Sequence, residues 1–250
     1  MNVQVAIPSY RRSDILANYT YPLITDHGIK PEDITIFVDD ERDAQLYGNL
    51  FPRKNIIVTG TKGVGNCHNF IQIHYPRGTN VMFLDDDIKK VVKLVDEKTV
   101  EPVDNLQELF ERGFTICRTA HTALWGISPT TNPFFMRKEV STNLKFIWAS
   151  FSGIIIDKDP KMLITMENGD CGDYEKTIKF YLKYGKVVRL NNYGLEADYQ
   201  HLPGGMHDYR SPEVRWRSAQ ILLHRYPELI SIKKKTTSKV VEFTLRDKRK

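Results

Sequence analysis

Short apolar runs and amphipathic stretches alternate along the first 87 residues. The runs at 3–7, 34–38, 55–58 and 80–84 are apolar on both faces and predict buried strands. Pro8 stops the first. Between them, 13–27, 43–50 and 66–74 carry helical spacing. Strands without polar alternation, joined by helices, predict a parallel sheet covered on both faces. The second half is more mixed. Residues 88–95 with 100–103 read as a hairpin or extended excursion, 105–124 as a helix, and 126–138 as a polar and aromatic loop. A buried strand follows at 151–156, then an amphipathic helix at 173–184 ended by Gly185. A strand at 186–190 and a helix at 212–226, with Pro212 in its first turn, come next. A last short strand is expected within 240–245. No Pro-, Gly- or Ser-rich linker divides the chain, so the expectation is one α/β domain with a basic C-terminal extension.

A chain of 250 residues is long enough to bury a core without disulfide or metal staples. With 41% hydrophobic and 27% charged residues it is not a disordered chain, a collagen or a coiled coil. No apolar run is long enough for a transmembrane helix, and the N-terminus lacks a secretory pattern. Three cysteines without a C-x-x-C spacing argue against a disulfide scaffold or structural zinc, and suggest a reducing cytoplasm. The formal charge of +5 is uneven. Residues 209–250 hold 12 Lys+Arg against 4 Asp+Glu, and the rest hold 24 against 27. The excess is either a solvated tail or a footprint for a polyanion, nucleic acid or an anionic membrane surface.

Candidate chemistry sits where the strands end. Asp85, Asp86 and Asp87 follow a hydrophobic strand, where three carboxylates repel one another. A divalent cation holding a diphosphate would remove that penalty, and ligands of open α/β sheets bind at the carboxyl ends of strands. The alternative is an acidic surface turn. Asp39 and Asp40 end a second strand, as ribose or base acceptors or as a helix cap. Gly63, Gly65, Asn66 and Asn69 open a helix as a phosphate-approaching loop would, without a dinucleotide or P-loop signature. Asp170 and Asp173 lie at a helix start, as capping charges or as a general base. His201 and His207 flank a glycine-rich segment and can complete a metal shell.

The ordered series Pro8-Ser9-Tyr10-Arg11-Arg12, Val38-Asp39-Asp40, Gly63-Val64-Gly65-Asn66 and Phe83-Leu84-Asp85-Asp86-Asp87 resembles the nucleotide-sugar half of GT-A fold glycosyltransferases. The Gly172-Asp173-Tyr174-Glu175 helix start is similar to the E-D start of that superfamily, with Gly172 in place of Glu. Within it, the small size and basic C-terminus resemble the TET-associated glycosyltransferases of phages, which add sugars to hydroxymethylated pyrimidines in DNA. The resemblance implies a single Rossmann-like GT-A domain with a mostly parallel central sheet over 1–208. Its nucleotide-sugar half would be 1–90 and its acceptor half 91–208, with a basic helix and tail at 209–250.

It further implies a UDP-sugar donor bordered by Pro8, Tyr10, Asp39, Asp40, Asp86 and the glycine loop, with Arg11 or Arg12 approaching the nucleotide. Mn²⁺ or Mg²⁺ would sit on Asp85 and Asp87, closed by His207 or His201. Asp173 or Asp170 would be the base of an inverting reaction; a retaining one needs none. The acceptor implied is 5-hydroxymethylpyrimidine in DNA, reached by flipping, with residues between Trp125 and Phe135 lining its pocket. Arg210, Arg215, Arg217, Arg225 and Lys233, Lys234 and Lys235 would meet phosphates. The location expected is the cytoplasm, that of the host for a phage protein, with no membrane association. Competing readings are a glycan or glycolipid acceptor, a nucleotidyltransferase, and a non-enzymatic nucleic-acid-binding module.

Overall fold

The computed structural model describes residues 1–166, 171–197, 211–233 and 243–249. Strand β1 (Val3–Pro8) leads into helices α1 (Ser13–Asn18) and α2 (Thr20–Asp26). Strand β2 (Ile34–Val38), α3 (Glu41–Gly48), β3 (Ile56–Val58), α4 (Val64–His74) and β4 (Asn80–Leu84) complete the first half. Strands β5 (Ile88–Leu94) and β6 (Val100–Pro102) form a hairpin, followed by α5 (Leu106–Thr119) and β7 (Leu124–Ser128). Then come β8 (Val140–Ser141), β9 (Phe151–Ile155), α6 (Gly172–Tyr184) and β10 (Val188–Ala197). Helix α7 (Pro212–Arg225) precedes a small antiparallel pair, β11 (Ile230–Ile232) with β12 (Phe243–Leu245).

The main sheet runs β3-β2-β1-β4-β9-β7-β10-β5-β6, with β8 beside β10. Its first four strands are parallel throughout, as their apolar faces predict. Beyond β4 the sheet is mixed: β9 joins β4 and β7 antiparallel, β10 lies parallel to β7, and β5 closes on β10 antiparallel. Strand order reverses at β1, whose neighbours are β2 and β4. A crevice at such a reversal, outside the carboxyl ends of the strands, is where open α/β sheets take ligands.

Several elements depart from the sequence expectation for physical reasons. The helix over 13–27 is broken at Tyr19, three residues before Pro22, which has no N–H for the ladder. The break turns Thr20 inward, where its hydroxyl donates to the Asp85 carbonyl (2.7 Å) and accepts from the Ile88 N–H (2.9 Å). The expected helix 105–124 stops at Thr119, and the first residues of the expected loop form β7, buried along its whole length. Trp125 of that strand is a core residue with no exposed surface, so it does not line an acceptor pocket. Its indole lies between Gly113 and Gly153, where an added Cβ would come within 2.3 Å and 1.9 Å of the ring. Strand β10 runs well past 190, with a register shift between Leu190 and Gly194. Helix α7 buries Ala219 and Leu222, the latter in one cluster with Phe180, Leu229 and Ile230. No helix among the described residues is long and apolar enough to cross a membrane.

Candidate functional site

Parallel pairing brings the ends of β1, β2 and β4 to one edge, and the edge is strongly charged. Behind Asp85 the two other carboxylates turn inward. Arg12, buried at the start of α1, places Nη1 3.3 Å from both Asp86 Oδ1 and Asp87 Oδ2. Ser9 Oγ donates to Asp86 Oδ2 at 2.5 Å, which leaves the Tyr47 hydroxyl as donor to Ser9, also at 2.5 Å. Tyr47 Oη in turn accepts from the Arg12 N–H at 3.0 Å. Burial pushes the Asp86 carboxyl up to about 6 despite Ser9 and Arg12. Arg12 is therefore the internal counter-charge of the acidic strand end. Arg11, left-handed at φ 54° and exposed, points the other way, its guanidinium 4.9 Å from the Tyr10 ring centre.

Asp85 keeps partial exposure. Its N–H donates to the Ser150 carbonyl at 3.1 Å, and Ser150 Oγ donates to its carboxylate. Asp39 is half-buried at the end of β2. Burial first, then the nearby charges of Asp43 and Asp40, push its carboxyl up to about 6, against Lys62 and Arg11. A carboxyl poised there suits hydrogen bonding to a ribose or base edge. Asp40 is the cap of α3: its Oδ1 accepts from Arg42 N (2.9 Å) and Asp43 N (3.0 Å).

Gly63 precedes α4 with φ 88°, a conformation that a side chain would strain. Gly65 is buried in the first turn, and Asn66 donates to the Lys62 carbonyl at 2.8 Å. Asn69 is committed elsewhere: both ends of its amide bond the Ile164 backbone, at 2.8 and 2.7 Å.

Across the cleft, Asp173 sits in the first turn of α6, where its Oδ2 accepts from the Ala149 N–H at 3.3 Å. Asp170, His201, His207, Arg210, Lys234 and Lys235 lie outside the described residues. Among the described residues no group of three or more His, Cys, Asp and Glu gathers to hold a metal ion. With Asp86 and Asp87 facing Arg12, the described residues alone do not make a metal shell.

The expected basic face is divided. Arg225 Nη1 bonds Thr165 Oγ1 at 2.8 Å and Glu175 Oε1 at 3.3 Å, so this exposed side chain ties α7 to α6. Glu175 is fully buried and also accepts from the Thr165 and Met166 N–H groups. Burial alone would raise its carboxyl, but the Thr165 hydrogen bonds and Lys179 outweigh it and hold the group below the usual range. Arg217 and Lys233 are exposed and Arg215 is half-buried. Past β7, Phe134 and Phe135 are exposed and stacked edge to face at 5.1 Å.

Sequence reasoning missed Ser150, which bonds Asp85, and also Ser152, His68 and Lys176, which gather around Phe83. Lys176 Nζ donates to Ser152 Oγ at 3.1 Å and lies 5.6 Å from the Phe83 ring centre. His68 lies against the same ring at 5.1 Å. The available signal was spacing: Lys176 is three residues after Asp173, on the helix face that turns to the sheet.

A separate surface cavity of about 410 Å³ opens at the opposite edge, near the start of β4, between Arg77, Arg118, Asp157 and Tyr184.

No protein-family model matches the chain, and no curated protein matches its sequence. Solved structures do match in fold. S. aureus TarS, in complex with UDP-GlcNAc, superposes with a TM-score of 0.59 at 16% identity over 90% of this chain. This chain spans 66% of that one. A mannosyltransferase from Pyrobaculum calidifontis, in complex with GDP-Man and Mn²⁺, gives 0.57 at 10% identity, over 90% of this chain and 64% of that one. Mannosyl-3-phosphoglycerate synthase from Rubrobacter xylanophilus gives 0.53 at 11% identity, over 98% and 84%. The fold is that of GT-A nucleotide-sugar transferases.

Proposed function

We propose that this chain is a glycosyltransferase that takes its sugar from a nucleotide sugar bound at the edge between β1 and β4. The observation that carries the reading is the meeting of Asp39, Asp85 and Asp173 at one sheet edge, with Asp85 and Asp173 held by consecutive residues, Ser150 and Ala149. Asp39 and Tyr10 would meet the base and ribose, Arg11 and the loop at Gly63 and Gly65 the diphosphate, and Asp85 the donor's charged end. A UDP-sugar is the proposed donor. A divalent cation, Mn²⁺ or Mg²⁺, would neutralise the leaving diphosphate when bound. Asp85, partly exposed at the end of β4, would share it.

Asp173 would act as the base of an inverting transfer. The acceptor oxygen bonds to the anomeric carbon as that carbon's bond to the diphosphate oxygen breaks. The hydroxyl proton goes to Asp173 and the electron pair leaves on the nucleoside diphosphate. The proposed acceptor is 5-hydroxymethylpyrimidine in DNA. Exposed Arg217 and Lys233 and the aromatic pair Phe134 and Phe135 support it, as phosphate and base-stacking contacts.

The test is nucleotide release from a panel of nucleotide sugars, with and without Mn²⁺ and with DNA carrying 5-hydroxymethylcytosine or 5-hydroxymethyluracil. Release that requires the modified DNA supports donor and acceptor together. Release indifferent to DNA keeps the transferase and moves the acceptor to a glycan or glycolipid. No release from any donor overturns the reading.

A further inference from the structure

Lys176 has no exposed surface, and an ammonium without water costs several kcal/mol unless its surroundings compensate. A helix packed only for stability would carry an apolar residue there. Most of what surrounds this one is neutral. Ser152 accepts its hydrogen bond, the Phe83 face lies beside it, and His68 shares that ring. Burial, and then the charge of Lys176 itself, hold His68 well below the usual imidazole range, so it too is neutral. The negative charges that Lys176 feels are Asp173 and Asp85: burial draws the ammonium down and these two carboxylates oppose it.

The connection between them is one short piece of chain. The Ala149 N–H donates to Asp173 Oδ2, Ser150 Oγ donates to Asp85, and Ser152 Oγ accepts from Lys176. Three contacts made by residues 149, 150 and 152 thus tie the donor-side carboxylate, the acceptor-side carboxylate and the cation to one short segment.

We propose that Lys176 is a positioning residue for sugar transfer: a fixed internal cation, anchored on Ser152, that holds Asp173 ionised and in register with Asp85 across the cleft. This rests on the reading of the site as a nucleotide-sugar glycosyltransferase. Two carboxylates near one substrate disfavour each other's ionisation, and a buried cation close to both opposes that.

Two variants test it. Lys176→Met keeps the length and removes the charge, and Lys176→Gln keeps a donor for Ser152 and removes the charge. Thermal unfolding first establishes which variants are folded; if the methionine variant is not, the glutamine variant decides. In a folded variant the acid limb of the kcat profile should move to higher pH by about one unit. At neutral pH kcat should fall on the order of tenfold, with the donor KM changed less than kcat. The same loss of the cation should raise the carboxyl titration midpoint of Asp173 followed by carbon-13 NMR, a readout that needs no turnover. A wild-type protein without turnover on any nucleotide sugar overturns the functional reading, while the NMR midpoint still tests the coupling. A folded charge-free variant with both the Asp173 midpoint and the pH profile unmoved overturns the proposal.

Discussion

The molecule buries two cations beneath the same sheet edge and uses them differently. On the donor side, Arg12 makes direct ion pairs to Asp86 and Asp87, and Ser9 and Tyr47 complete the network. Lys176 gives its hydrogen bond to a neutral serine, and the opposite charges that bear on it are Asp173 and Asp85. The difference follows from the two side chains. A guanidinium is a planar fork suited to several carboxylate oxygens, and an ammonium is a compact charge that needs one anchor. The first arrangement pairs its carboxylates directly and buries them. In the second the carboxylates are partly exposed. The acidic strand end thus holds two carboxylates paired to a guanidinium, Asp86 and Asp87, and a partly exposed one, Asp85, bonded by Ser150.

That contrast can be broken at either cation. The largest effect is expected at the carboxylate that faces the cleft: Asp173→Asn should cost about 10²–10⁴-fold in turnover, with donor binding and melting temperature little changed, in steady-state kinetics and calorimetry. Arg12→Met should do the reverse. It leaves two buried carboxylates uncompensated, a loss of about 3–5 kcal/mol. The melting temperature should then fall by about 6–20 °C in thermal unfolding. Lys176→Met should be milder in stability than Arg12→Met, because its carboxylates are partly exposed and Ser152 is a neutral partner.

Smaller effects sharpen the frame that carries both halves. Gly153→Ala puts a methyl into the Trp125 ring and should cost about 1–3 kcal/mol by overpacking, measured by denaturant unfolding. The smallest concerns His68. Its folded value lies well below the unfolded 6.5, so the unfolded chain binds the extra proton as pH falls. The contribution is intact above pH 6.5 and is lost on acidification, at about 1.4 kcal/mol per pH unit between the unfolded and folded values. His68→Phe should flatten that slope in melts taken across this range.

The donor half was legible because its information is local. Strands β1 to β4 are mostly apolar runs without regular alternation, and reading their ends places Tyr10, Arg11, Asp39 and Asp85 at one edge of the sheet. What each carboxylate does was not local. Arg12 selects Asp86 and Asp87 across 74 and 75 residues of chain, and no spacing rule reports it. Asp40 reads equally as a ligand contact or a helix cap, and the structure shows the cap of α3; the bonds of Asn69 to the Ile164 backbone span 95 residues and no local signal reports them. The acceptor half was read least well. Strand β7 is five residues long and includes a glycine, and Trp125 reads as an acceptor-pocket aromatic because the Gly113 and Gly153 hollows that receive it are far apart in sequence. Lys176 resembled one more charge on an amphipathic helix, since only the tertiary fold puts that face against Phe83.

The central claim is that the β1/β4 edge is the nucleotide-sugar site. The most direct test is backbone amide chemical-shift mapping of the wild-type protein titrated with nucleoside diphosphates and nucleotide sugars. A nucleotide sugar bound at this edge gives saturable shifts at residues 9–11, 39, 63–66 and 85, abolished by Asp85→Asn with Asp39→Asn, while the fold's other amides stay in place. Shifts confined to the opposite edge, around Arg77 and Arg118, or no saturable shifts with any nucleotide, would contradict it.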